Sequence, residues 1–98
     1  MTKKQLINEG KLEQALTILK SVADSNSVPR NIRKIVKESI IMLNDTETSI
    51  SIRAANAIAF LEDVSQDPNM PSYSRVTIWS AVSNLESIRE AVMQPNQA

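Results

Sequence analysis

Cysteine and histidine are both missing from these 98 residues. Without cysteine there is no disulfide frame, no thiolate nucleophile and no sulfur metal site; the composition suits a reducing compartment. Without histidine the usual general base near neutral pH is gone, along with the commonest metal ligand. Gly10 is the only glycine, too few for a phosphate-cradling loop. No serine sits in a Gly-x-Ser-x-Gly setting. No apolar run approaches the roughly 20 residues that span a bilayer, and the N-terminus lacks the apolar stretch of a secretion signal. These absences predict a cytoplasmic protein that is not an enzyme, carries no cofactor or metal and enters no membrane.

What is present is a repeat. Residues 12–43 slide onto 54–85 at an offset of 42 with six identities, where chance supplies about two. Ala15 falls on Ala57, Leu19 on Leu61, Val22 on Val64, Pro29 on Pro71, Arg33 on Arg75 and Leu43 on Leu85. Apolar spacing predicts four helices. The first runs from about Lys11 to Ala23, with Leu12, Ala15, Leu16, Leu19, Val22 and Ala23 on one stripe. Residues 1–10 read as a loosely attached N-terminal turn, with capping-box spacing from Thr2 to Gln5 and a weak point at Gly10. The second follows Pro29, placed as a first helical residue, and buries Ile32, Ile35, Val36, Ile40 and Leu43. The third runs from Glu47 or Ser49 to Ser65. Its opening, Thr-Ser-Ile-Ser-Ile, alternates like a strand, but the alanine-rich continuation favours helix. The fourth runs from about Ser72 to Val92 with Ile78, Trp79, Val82, Leu85 and Val92 on one side, and residues 94–98 form a frayed tail.

Short connections place consecutive helices antiparallel. The expected fold is one all-α domain over residues 1–98: an antiparallel four-helix bundle of two hairpins related by the repeat. Two units are too few for a solenoid of the HEAT kind. The third helix is nearly apolar all round, with Arg53 the only charge between Ile50 and Leu61, and is expected to be the most buried. Phe60 and Trp79 are expected in the core. The back of the fourth helix carries Ser80, Ser83, Asn84 and Ser87, an uncharged face open to a partner or to water.

Charge totals zero but is unevenly placed: residues 1–44 carry eight Lys/Arg against four acids, and residues 45–98 three against seven. Opposite halves attract, either within one chain or between two copies in a dimer. Asp24, Asp45 and Asp67 mark the inter-helix turns, and Arg33, Arg53 and Arg75 follow them by nine, eight and eight residues. A turn carboxylate can accept helix N–H groups, and a guanidinium can bridge back to it or to loop carbonyls. These six residues are read as structural pins, with an anion site at Arg33 and Arg75 as the other reading.

Arg30, Arg33, Lys34 and Lys37 fall within about 100° of helical arc, with Ile41 beside them. This is the candidate contact surface. The stripe suits phosphates, with Tyr73 as the one aromatic left for stacking, or it is simply a solvated face. Glu86 with Glu90, and Glu62 with Asp63 and Asp67, are carboxylate groupings of the sort that hold Mg²⁺, but with no histidine nearby they read as ordinary charged surface. The expected role is contact with an unknown protein partner, with a homodimer among the possibilities; the alternative is a weak nucleic-acid binder using the basic face of the second helix.

Four strings carry a resemblance: Ser-Val-Pro-Arg-Asn-Ile-Arg (27–33), Ile-Arg-Ala-Ala (52–55), Asp-Pro-Asn-Met-Pro (67–71) and Arg-x-x-Ile-Trp (75–79) with Leu85-Glu86. Over about residues 12–90 the chain resembles uncharacterised protein family 0147, a group of small archaeal proteins. The resemblance implies a helical bundle and no catalytic residues.

Overall fold

Residues 3–93 are described by the computed structural model, apart from the side chains of Lys4, Gln5 and residues 89–93. The Thr2 capping box, the apolar role of Val92 and the 94–98 tail therefore lie outside the described residues. Four helices form: α1 (Lys3–Ala23), α2 (Arg30–Leu43), α3 (Ile50–Val64) and α4 (Ser72–Met93). There is no strand among the described residues. The strand-like Ile50-Ser51-Ile52 opens α3, because the helix-favouring Arg-Ala-Ala that follows extends back over it.

α1 differs from the expected short helix preceded by a turn. It continues through Gly10 for 21 residues. The glycine costs roughly 1 kcal/mol against alanine. Packing along α4 offsets that cost, including a hydrogen bond from Lys11 Nζ to Ser87 Oγ at 2.6 Å. Pro29 stands one place earlier than expected, as the N-cap of α2 with extended backbone (φ −53°, ψ 147°) rather than as its first helical residue.

α1 packs on α2 and α4, and α3 packs on α2 and α4; among the described residues α1 does not approach α3, nor α2 approach α4. The helices thus ring one interior, in a body of 45 × 21 × 17 Å. That interior is a single cluster that includes Leu19, Ile32, Leu43, Ile58, Leu61, Ile78, Leu85 and Ile88, with Val28 and Met70 closing it from the turns. Ile35 and Ile40 pack against its edge.

Two core expectations fail. Phe60 is 38% exposed and Trp79 is 44% exposed. α3 is not buried all round: Ile52, Asn56, Ala59 and Phe60 face outward. A helix in a ring has one inward side whatever its composition, and only Ala54, Ala57, Ile58, Leu61 and Val64 occupy it.

Candidate contact surfaces

The turns that set the helices apart share one construction. Ser25, Asp45 and Asp67 each accept, on a side-chain oxygen, the backbone N–H two residues on: Ser27 at 3.3 Å, Glu47 at 3.1 Å and Asn69 at 2.8 Å. Each also accepts, on its own carbonyl, the N–H three residues on. Such side-chain-to-backbone bonding is what short polar residues contribute to turns. In the first turn the acceptor is Ser25, and Asp24, the expected one, is exposed without that role. Ser25 is the residue 42 before Asp67, so the position in the turn outranks the stronger acceptor one place earlier.

Arg33, Arg53 and Arg75 each follow their turn acceptor by eight residues. Arg75 donates from Nε to the Ser65 carbonyl at 2.7 Å and from Nη2 to the Asp67 carbonyl at 3.1 Å. Arg53 donates from Nη1 to the Leu43 carbonyl at 2.8 Å, but its Nε is buried without a partner. The Nε of Arg33 is also buried and unpartnered. The bonds of Arg53 and Arg75 go to carbonyls at the end of the preceding helix and in the turn, not to carboxylates.

Three outward features remain. On α2, Arg30, Arg33, Lys34 and Lys37 line one shallow depression together with Asn31. Arg30, Lys34 and Lys37 are exposed, Arg33 is half-buried, and Ile41, one turn further on, is 69% exposed. The structure does not bring Tyr73 to this stripe. Tyr73 is 84% exposed on α4, whose backbone does not approach that of α2 among the described residues.

The second feature is a groove of about 960 Å³ that sequence reading missed. It lies between the N-terminal half of α1 and the α2–α3 turn. Leu12, Leu16, Leu43 and Ile50 supply its apolar lining, Glu9, Glu13 and Glu47 its exposed acids, and Arg53 the one cation among the described residues. Asn8 also lines it; this side chain is only 6% exposed and its Oδ1 has no hydrogen-bond partner among the described residues. The signal in the sequence is Glu9, Leu12, Glu13 and Leu16, a stripe of mixed character on one helical side.

The third feature is the outer side of α4. Tyr73, Val76 (70% exposed) and Trp79 lie there beside exposed Ser80 and Ser83. Glu86 is half-buried on the same helix; its expected companion Glu90 lies outside the described side chains. Among the described residues no group of three or more acids is placed to hold a metal ion, and no helix is long and apolar enough to cross a membrane.

A ring of four helices with carbonyl-pinned turns and no assembled catalytic constellation among the described residues defines a small all-α protein. The chain belongs to the uncharacterised protein family UPF0147, whose model matches residues 1–88. A UPF0147 protein of Metallosphaera sedula is 51% identical over 83 residues, covering 85% of this chain and 93% of its own. One from Aeropyrum pernix is 47% identical, covering 85% and 91%. The crystal structure of MMP1188, a protein of unknown function, matches with a TM-score of 0.76 at 40% identity, over 80% of this chain and 89% of that one. A UPF0147 crystal structure from Thermoplasma acidophilum matches with a TM-score of 0.80 over 84% and 96%; at 24% identity it speaks for the fold alone.

Proposed function

We propose that this chain is a non-catalytic protein-contact module, an antiparallel four-helix bundle whose two hairpins descend from one repeated unit. Burial in register supports the repeat. Ala15 and Ala57, Leu19 and Leu61, Val22 and Val64, Val28 and Met70, Val36 and Ile78, Ser39 and Ala81, and Leu43 and Leu85 are pairs 42 apart, with both members buried. Connections of six, six and seven residues support antiparallel neighbours.

The contact reading is carried by the α4 surface. Tyr73, Val76 and Trp79 are open to solvent, and no charged residue lies between Arg75 and Glu86. Aromatics in apolar, uncharged surroundings are typical anchors of protein interfaces. The pins at Asp45, Arg53, Asp67 and Arg75 hold the scaffold in this reading and touch no ligand. Nucleic acid is the weaker reading for the α2 stripe, since the only widely open aromatic, Tyr73, lies on α4, whose backbone stays clear of α2 among the described residues.

Affinity isolation from native lysate of the source organism, with and without nuclease, tests this reading. A protein partner retained after nuclease treatment is expected. Trp79→Ser with Val76→Ser should weaken its capture at least tenfold, about the effect of one anchor worth 1–2 kcal/mol. Capture that depends on nucleic acid, or that ignores both substitutions, rejects the α4 face.

A further inference from the structure

We propose that the α1–α2 face pairs with the same face of a second copy about a two-fold axis. The basic stripe of each chain lies over the acidic groove of the other. This surface is separate from the α4 side, so it stands or falls independently of the proposed partner contact.

The two ends of the face carry opposite charge. Toward the start of α2, Arg30, Lys34 and Lys37 are exposed around half-buried Arg33. Toward the end of α2, Glu9, Glu13 and Glu47 are exposed at a groove lined by leucine and isoleucine. At about 1.5 Å per residue, the centre of the stripe and the groove beside Leu43 are roughly 13 Å apart along the helix. A two-fold rotation about a point between them lays plus on minus at both ends. A two-fold interface must be complementary to itself in this way. A partner of uniform charge, a nucleic acid included, matches one end and is repelled by the other.

Ile41 supplies the middle. It lies on the stripe's side of α2, one turn beyond Lys37 toward the groove, and is among the most exposed large aliphatic side chains. Near a two-fold axis the two copies of Ile41 meet each other and leave water together.

Arg53 keeps its bond to the Leu43 carbonyl and is the one cation lining the acidic groove among the described residues. Zero net charge leaves no overall repulsion between copies.

Light scattering coupled to size exclusion, on the full chain at low salt, reads the result. The wild type should show the mass of two chains, and raising salt from about 50 to about 500 mM should weaken pairing roughly tenfold. Lys34→Glu/Lys37→Glu and Glu9→Lys/Glu13→Lys should each run as single chains. Mixed in equal amounts, they should recover the two-chain mass as a heterodimer, which also shows that both are folded. Ile41→Asp should run as a single chain, while Trp79→Ser should keep the pair. The proposal is overturned by a wild type of single-chain mass, by charge-reversed variants that still pair alone, by a mixture that stays unpaired, or by a pair that Trp79→Ser dissolves. A wild type that remains single while shifting an RNA oligomer at low salt overturns it in favour of nucleic acid.

Discussion

Arg33, Arg53 and Arg75 occupy equivalent stations, eight residues past their turn acceptors, but their surroundings differ. Arg75 spends two nitrogens on carbonyls, whereas Nε of Arg33 is buried without an acceptor. Arg75→Ala should therefore destabilise by about 1–3 kcal/mol, since it strips two charge-assisted bonds from half-buried carbonyls. Arg33→Ala should cost clearly less. Thermal or urea melts of the two variants side by side check this, and equal losses would reject the carbonyl pin. Ser39 gives the opposite case. It is fully buried, and its hydroxyl donates to the Ile35 carbonyl one turn back at 3.2 Å. That bond adds little to a carbonyl already inside a helix. Ser39→Ala, which installs the residue found 42 positions later at Ala81, should leave stability within about 0.5 kcal/mol of the wild type or raise it. The arginine spacing was legible in the sequence because it is a count. Which nitrogen finds a carbonyl was not, because that depends on where the preceding helix ends.

Elements were legible wherever the apolar period was strong. α2 and α4 start close to their prolines, and the alanine run carried α3 through its strand-like opening. At Gly10 local propensity marks a weak point, yet α1 continues, because propensity says nothing of a neighbour lying alongside. A Cβ built on Gly10 meets no atom within 4 Å. Gly10→Ala should accordingly stabilise by about 0.5–1 kcal/mol, through better helix propensity and a less mobile unfolded chain. A calorimetric melt tests it, and a loss of stability there would mean that α1 is not continuous at this point. The exposed side of α3 escapes its composition for a related reason. Composition reports how apolar a helix is, while the number of neighbours sets how much of it they cover. With only α2 and α4 beside it, α3 leaves Ile52 and Phe60 in water.

At the scale of the whole molecule, the ring closes on one cluster, so damage to it spreads. Leu61 is fully buried in that cluster, and Leu61→Ala should cost about 2–5 kcal/mol. In a domain of this size each kcal/mol lost lowers the melting temperature by about 4–8 °C. Chemical denaturation with and without the substitution measures the loss. The sequence by itself determined the number of helices, the residues that face inward on α1 and α2, and where the turns fall, because periodicity and turn chemistry act over a few neighbouring residues. It also determined the basic stripe, which lies on a single helix. Only the tertiary structure decided that the α4 backbone, which carries Tyr73, does not approach α2, that Trp79 is half open, and that Glu9, Glu13 and Glu47 converge on one groove with Asn8. Those relations join residues on different helices, and no local spacing encodes which helices come to lie side by side.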